Sequence, residues 1–311
     1  MADDLQKRLT IVVPVYNRAG TVQRTLRSIE RQQLDQATII LVDNASTDDT
    51  MAVLQQWKTA VDGRLDVVVA HEAKPGAAAA RNRGLALTDS RWVMFFDSDD
   101  EMRPGLIADL MEAIDHSDAQ VVGWEIDQQL PDGMRHIGRF TTVNPLYNHL
   151  VHGILSTQRF AVLTALARKA GGWDDSVMGW NDLEFGLRIL LQRPAMAQLS
   201  GVRVTTHFTP ASITGSRYSA DPGKWEHSLD CCATALDKAG LPTQWVDVRR
   251  IILAATYRSE GARADARRLR RSVYRRNRLW SRWLMRLLYT KHRLIPRGTG
   301  RFASLFLGKT L

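Results

Sequence analysis

Three carboxylates, Asp97, Asp99 and Asp100, follow directly on the apolar run Trp92-Val93-Met94-Phe95-Phe96. Like charges crowded at the mouth of a buried strand repel one another unless something positive neutralises them. A divalent cation does this well: hard oxygen ligands suit magnesium or manganese, which keep positions open for substrate phosphate. An arbitrary Asp-x-Asp is more often a solvated turn capping the next helix, and it is the preceding strand that favours chemistry here. The stretch Asp43 to Thr50 is two-faced. Ser46, Thr47 and Asp48 suit the cap of the following helix. Asp43 sits at a strand tip, where an acceptor-only carboxylate can read the imide or amide donors of a base. In the segment 76–84, Gly76-Ala77-Ala78-Ala79-Ala80-Arg81-Asn82-Arg83-Gly84, small residues let a helix approach closely, and Arg81 is a candidate base or phosphate contact.

Such residues need a scaffold. Residues 9–15 form a short β-branched run, and Val22, Leu26 and Ile29 then fall at helical spacing within 21–33. The alternation repeats, with 38–42, 65–69 and 92–96 reading as strands and 48–57 and 76–87 as helices. Strands that are apolar throughout are buried on both faces. Residues 9 to about 116 therefore predict an α/β unit with a mainly parallel sheet flanked by helices. Ligands of such sheets bind beyond the carboxyl ends of the strands. Tyr16-Asn17-Arg18, Asp43-Asn44-Ala45-Ser46 and Asp97-Ser98-Asp99-Asp100 occupy those positions. Further on, 119–126, 136–140 and 202–208 read as strands and 182–191 as a helix. Residues 223–293 carry only helical signals, with Asp221-Pro222-Gly223 as the boundary.

Pro14-Val15-Tyr16-Asn17, Val42-Asp43-Asn44-Ala45-Ser46-Thr47-Asp48, the segment 76–84 and Phe96-Asp97-Ser98-Asp99-Asp100 follow in an order and spacing that resembles the family 2 glycosyltransferases with the GT-A fold. The resemblance covers residues 9 to about 215. It implies a Rossmann-like, mixed but mainly parallel sheet, a nucleotide-sugar donor of the UDP class, Mn2+ or Mg2+ on the Asp-x-Asp motif, and inversion at the anomeric carbon. Carried over residue by residue, it puts Pro14, Tyr16 and Asp43 around the base with Arg81 beside them, and adds Asn17 and Ser98 to the donor-binding set. Asp97 then faces the ribose and diphosphate, and Asp99 ligates the metal. Gly171-Gly172-Trp173-Asp174-Asp175 resembles the family's acceptor-side turn, which places Trp173 there together with Trp180 and Asn181. In Gly179-Trp180-Asn181-Asp182-Leu183-Glu184, Asp182 falls on the family's catalytic base. Asn181 stands where a glutamate is common, which removes a charge beside that base. An inverting transfer needs a base opposite the leaving diphosphate and a cation to stabilise the departing charge, so two separate acidic sites are required. Alone, His207 reads as a structural histidine; the similar histidine of this fold completes the metal or diphosphate site. Trp180 reads equally as a sugar-stacking ring or as core.

Composition bounds the remainder. Of 311 residues 44% are apolar and 24% charged, ordinary globular usage. Cys231 and Cys232 are adjacent and suit neither a normal disulfide nor a metal site, which fits a reducing cytoplasm. No export signal and no run of 18 apolar residues is read, so a cytoplasmic protein is expected. The formal charge of +9 is uneven: residues 258–311 hold 16 Lys/Arg against two acids, and residues 1–257 hold 26 against 31. Leu269, Val273, Trp280, Trp283, Leu284, Leu287 and Leu288 fall at helical spacing with arginines on other faces. Residues 263–293 are thus expected either to lie on an anionic membrane surface, at the inner face of the cell membrane, or to pack on the catalytic domain. No nucleic-acid-binding module accompanies the charge. The expected organisation is a catalytic domain, 1–220, with a nucleotide-sugar half (1–116) and an acceptor half (117–220), followed by a helical basic extension, 221–311. The expected activity is sugar transfer to a glycan or lipid-linked glycan in polysaccharide biosynthesis. The alternatives are a nucleotidyltransferase, whose Gly-rich basic loop Tyr16-Asn17-Arg18-Ala19-Gly20 does not resemble, and a non-enzymatic binding protein that uses its basic tail.

Overall fold

The computed structural model describes residues 7–130, 132–207, 217–296 and 298–308. The chain divides into two compact units, one comprising Met1–Thr142, Ile154–Ser176 and Gln192–Thr209, the other Val143–Gly153, Val177–Leu191 and Pro210–Leu311.

The first unit is built on β1 (Leu9–Val15), in which every residue except Pro14 is buried. β1 pairs in parallel with β2 (Ala37–Asp43) on one side and β4 (Trp92–Phe95) on the other, and β2 pairs in parallel with β3 (Asp66–His71). The helices α1 (Val22–Glu30), α2 (Thr50–Ala60) and α3 (Ala77–Ala86) connect these strands. Their apolar residues, Leu26, Ile29 and Leu54 among them, bury against Ile11, Ile39 and Met94 of the sheet. Because β3, β2, β1 and β4 are mutually parallel, their carboxyl ends share one edge. Pro14 pairs with Val42 but lies past the last β4 partner, Val12, so on that side its missing N–H leaves no ladder bond unmade.

The rest of this unit is mixed. β5 (Glu101–Met102) and α4 (Leu106–Asp115) precede β6 (Val121–Gln129) and β7 (Arg135–Gly138), and β8 (Phe160–Leu163) leads into α6 (Thr164–Lys169) and later β9 (Met196–Thr206); α5 (Pro145–His152) belongs to the second unit. The described residues give a nine-stranded sheet of order β3-β2-β1-β4-β8-β6-β9-β5, with β7 on β6. β8 is antiparallel to both β4 and β6, whereas β6 and β9 are parallel. Several features differ from the sequence expectation, among them β8, α5 and α6, which no expected element covers. β9 begins at Met196 rather than 202, because of residues 196–201 only Leu199 is buried and they form no continuous apolar run; the expected final residue, Phe208, lies outside the described residues. β5 is two residues long, too short for any periodicity, and pairs antiparallel with β9 through Glu101↔Thr205 and Met102↔Val204.

The second unit is helical: α5, α7 (Asn181–Leu190), α8 (Pro222–Lys238), α9 (Gln244–Ser259), α10 (Arg263–Arg276), α11 (Leu279–Leu294) and α12 (Thr299–Leu307). Its core gathers Leu183, Leu187, Trp225, Leu229, Trp245 and Ile251. α8 starts at Pro222, with the Asp221 side chain accepting a hydrogen bond from the Lys224 N–H at 3.2 Å, a capped start that leaves fewer backbone donors unmade. Both cysteines are free thiols, and burial pushes the Cys232 thiol up to about 12, which leaves it unreactive. The expected apolar stripe divides. Leu269, Val273, Leu284 and Leu288 are buried, while Trp280 and Trp283 are exposed. No helix among the described residues is long and apolar enough to cross a membrane.

Candidate active site

The tip of β2 carries Asp43, which is buried. Its Oδ2 accepts from the Ser46 N–H at 3.4 Å and faces His71 Nδ1, at the tip of β3, at 3.2 Å. Its Oδ1 is buried with no hydrogen-bond partner among the described residues. An unmet buried acceptor costs about 1–3 kcal/mol, and a ligand N–H removes that cost. Asn44, next in sequence, serves the scaffold: its side chain donates to the carbonyls of Glu72 and Lys74 and accepts from the Gly76 N–H, tying the β3–α3 loop to β2.

The tip of β1 is locked to the same place. Asn17 adopts a left-handed backbone, φ 49°, which asparagine tolerates better than most residues. Its side chain accepts from the Thr47 N–H at 2.8 Å and donates to Thr47 Oγ1, while its own N–H donates to Ser46 Oγ. Ser46 and Thr47, expected as helix caps, are thus spent on Asn17. The N-cap position is Asp49, which makes no side-chain cap hydrogen bond, and Asp48 Oδ1 just before it accepts from the Thr50 N–H at 3.0 Å. The same loops leave Tyr16 with 56% of its surface open, an aromatic face beside Asp43's strand and able to stack on a base.

The tip of β4 bears the acidic motif. Asp97 Oδ1 accepts from Arg81 at 2.8 Å, and Asp99 Oδ2 accepts from Arg18 at 3.1 Å. Arg81 is buried, and its guanidinium lies 4.4 Å from the centroid of the Trp173 ring, a cation–π contact that holds it toward Asp97. Trp173, expected on the acceptor side, is 2% exposed. It is held by Asn82, which accepts from its N–H at 2.8 Å and donates to its carbonyl at 2.7 Å. The turn before it needs Gly172: φ is +69°, and a Cβ would stand 2.6 Å from Asn82 Oδ1. Ser98 is buried within the motif.

Burial first, then repulsion from Asp97, pushes the Asp99 carboxyl above its ordinary range, and the same causes push Asp100 well above it. Asp100 does not cap a helix: its Oδ1 accepts from the His207 N–H at 3.2 Å, fixing the end of β9 beside the motif. His207 Nε2 is buried without a hydrogen bond, and Glu101 Oε1 lies 3.6 Å away. Burial, then the charge of Arg24, holds this imidazole below its usual pKa and so neutral.

These groups fit a divalent cation. Asp97 and Asp99 form a carboxylate pair whose charge is incompletely offset, and His207 offers an orphaned ring nitrogen. Among the described residues no three His, Cys, Asp or Glu side chains are gathered into a ready-made cage. That pattern suits a cation held by one or two carboxylates together with substrate phosphate oxygens.

Asp182, Asn181 and Trp180 lie in the second unit, at the start of α7. Asp182 Oδ1 accepts from the Leu183 N–H at 2.9 Å, and its charge acts on Arg249 and Tyr218. Trp180 packs against Trp225 and Tyr218 at centroid distances of 5.0 and 5.6 Å, with Arg249 over its ring. Sequence reasoning passed over His71, Arg24 and Arg249. The one available signal was His71, since it ends the third strand as Asp43 ends the second.

Residues 10–150 match Glycosyl transferase family 2. This stretch belongs to that family. Over 116 residues the chain is 31% identical to the GalNAc(5)-diNAcBac-PP-undecaprenol beta-1,3-glucosyltransferase of Campylobacter jejuni, an alignment covering 37% of this chain and 37% of that relative. The chain thus spans just over a third of that relative's length. Among solved structures it is similar to the 1–349 segment of S. aureus TarS in complex with UDP-GlcNAc, with a TM-score of 0.64, 18% identity, and coverage of 81% of this chain and 73% of the other. It is also similar to the mannosyltransferase PcManGT from Pyrobaculum calidifontis in complex with GDP-Man and Mn2+, with a TM-score of 0.59, 17% identity, and coverage of 98% and 85%. At such identity these likenesses concern the fold. It is the expected GT-A type, a mixed and mainly parallel sheet with flanking helices, followed by a helical carboxyl-terminal region.

Proposed function

We propose that the protein is an inverting glycosyltransferase that moves a sugar from a nucleoside diphosphate sugar of the uridine class to a glycan or lipid-linked glycan, assisted by Mn2+ or Mg2+. The observation that carries this reading is the gathering at one sheet edge of an unmet acceptor on Asp43, a buried guanidinium on Arg81 and the partly buried carboxylates of Asp97 and Asp99. The names of the relatives support it, since one is a glucosyltransferase with an undecaprenol-linked acceptor in its name and two structures hold nucleotide sugars.

In this reading Tyr16 stacks on the base and Asp43 accepts its N–H, with Pro14 and Asn17 shaping the loop beneath. Asp97 and Asp99, with His207, would hold the cation. When bound, the cation neutralises charge developing on the departing nucleoside diphosphate. Asp182 takes the proton of the acceptor hydroxyl as that oxygen bonds to the anomeric carbon and the bond from this carbon to the diphosphate oxygen breaks. Trp173 acts through Arg81, and Trp180 and Asn181 flank the acceptor. Residues 1–116 serve the donor, 117–220 the acceptor and 221–311 localisation.

The localising surface is an exposed apolar patch at α11 and α12. Trp280 and Trp283 stack at 5.3 Å, Phe306 meets Trp283 edge-on, and Leu279 and Leu305 are 83% and 77% exposed. Arg278, Arg286 and Arg301 are exposed on the same two helices and their flank. Exposed apolar side chains with arginines exposed on the same helices suit an anionic bilayer interface, and we place the protein peripherally on the inner face of the membrane.

Transfer measured with manganese tests the mechanism. Asp99→Ala and excess chelator should each remove activity, and Asp182→Asn should remove transfer while donor binding persists. Undiminished transfer in any of the three refutes the assignment it addresses. Release of pyrophosphate in place of nucleoside diphosphate would indicate a nucleotidyltransferase.

A further inference from the structure

Beside the acidic motif, within the first unit, lies a cleft of about 550 Å³ between α1 and the β5–β9 ribbon. None of Pro14, Tyr16, Asp43, Arg81 or Asp97 lines it. Its walls carry four guanidinium groups, Arg24, Arg27, Arg31 and Arg103, against one carboxylate, Glu101. Three of the four come from one stretch of chain. Positions 24, 27 and 31 recur at helical spacing, so α1 and its carboxyl end present a single basic stripe to the cavity.

The acids nearby are committed. Arg103 is paired with Asp127 at 2.8 Å, Glu30 with Arg64 at 2.9 Å, and Glu101 with Arg24 at 3.5 Å. Arg27 donates to Gln23 at 3.3 Å. Neither Arg27 nor Arg31 has an acidic partner among the described residues, so the cleft keeps an excess of positive charge.

The cleft also backs onto the motif. Arg24 donates to the Asp99 carbonyl at 2.6 Å, Thr25 Oγ1 to the Asp100 carbonyl at 2.8 Å, and the Met102 N–H to Ser28 Oγ at 3.0 Å. Gln32 donates to the Arg103 carbonyl at 3.0 Å. Four hydrogen bonds, three from α1 and one from Gln32 just after it, thus stitch this segment to the backbone that leaves the motif, and Arg24 joins both sites. A group bound here sits beside the acidic motif without occupying it.

We infer that this cleft binds a phosphate or diphosphate group carried by the acceptor. Planar guanidinium forks match phosphate oxygens bidentately, and the volume admits a diphosphate with an adjoining sugar. The inference rests on the glycosyl-transfer reading for the word acceptor, but the anion site stands on the cleft alone. The phosphate belongs to one of two sources with the same chemistry: a lipid-linked diphosphate or a soluble phosphodiester chain.

The test uses the full chain and inorganic pyrophosphate in chelator, where a metal-dependent donor site is silent, with binding read by calorimetry. The wild type binds, and R27Q/R31Q weakens binding about tenfold or more, while binding of UDP with Mn2+ is unchanged. R27K/R31K retains charge at the end of α1, where cations favour the helix, yet recovers only part of the affinity. No binding by the wild type, or equal affinity in wild type and R27Q/R31Q, overturns the proposal. A fall in Tm with unaltered pyrophosphate affinity also overturns it, since the arginines then act only on the helix end. Displacement of pyrophosphate by poly(glycerol phosphate) supports the soluble source, and recruitment to phosphatidylcholine vesicles carrying a polyprenyl diphosphate, lost in R27Q/R31Q, supports the lipid source. If neither occurs, the acceptor assignment falls. Loss of UDP-sugar binding with pyrophosphate binding intact would refute the transferase reading instead.

Discussion

Gly84→Ala adds one methyl group where α3 crosses β1. A Cβ at this position stands 2.2 Å from Val12 Cγ1 and 2.9 Å from Cγ2. Non-bonded carbons settle at about 3.5–4.0 Å, so the helix and strand must separate by about 1.3 Å at this point. Val12 cannot yield: it has no exposed surface, its strand is paired on both sides, with Ile40 and Phe95, and its β-branched side chain is stiff. α3 must move outward. Overpacking of this kind costs about 1–3 kcal/mol, which for a unit of this size lowers Tm by roughly 2–10 °C. Arg81 lies three residues before Gly84 and so on the same helical face. The movement therefore carries its guanidinium away from Asp97 Oδ1, now 2.8 Å distant. Misplacing a positioning group by about 1 Å costs on the order of a hundredfold in turnover. The assay is a double-mutant cycle with Val12→Ala, followed by thermal melting and by UDP-sugar turnover. The added methyl group fits the space that Val12→Ala vacates, so the double variant should be more stable than the sum of the singles by about 1 kcal/mol or more. Additive effects, or a Gly84→Ala variant with wild-type Tm and turnover, refute the close approach of α3 to β1 as the device that positions Arg81.

Asp43→Ala should weaken UDP binding by about tenfold or more, since a charged acceptor for the base is removed; unchanged affinity would remove Asp43 from the donor site. Asp100→Asn tests the buried carboxyl by pH. The folded pKa lies above the unfolded value, so the folded state keeps its proton longer. Stability is unaffected below the unfolded carboxylate pKa and falls as pH rises from there toward the folded pKa. Asparagine still accepts from the His207 N–H but does not ionise, so in chelator the variant should gain Tm relative to wild type progressively as pH rises above about 4. A pH-independent difference contradicts this. Trp280→Ala with Trp283→Ala should release the protein from phosphatidylglycerol vesicles in co-sedimentation while leaving Tm nearly unchanged, because both rings are exposed; retention on the vesicles, or binding equal to that on phosphatidylcholine alone, counts against the patch.

The placement of many candidate residues was legible because they sit where local rules act. A continuous apolar run followed by polar residues marks a strand and its tip, and that pattern alone brought Tyr16, Asp43 and Asp97–Asp100 to one edge of one sheet. The mixed α/β class followed from the same alternation, and the helical signal after residue 222 from spacing. Chain neighbours determine such features, since the period of a strand or helix is set within a few residues.

Tertiary structure decided which charges meet. Arg18 and Arg24 reach the motif from more than seventy residues away, and Asp100 holds His207 across more than a hundred. No local period encodes these pairings; they follow from sheet order and from the two-residue strand β5. Burial likewise turned Trp173 into the floor under Arg81 and split the carboxyl-terminal stripe into a buried seam and an exposed tryptophan pair. Sequence spacing shows that apolar residues share a face, but which of them meet protein and which meet solvent depends on the neighbours that the fold supplies.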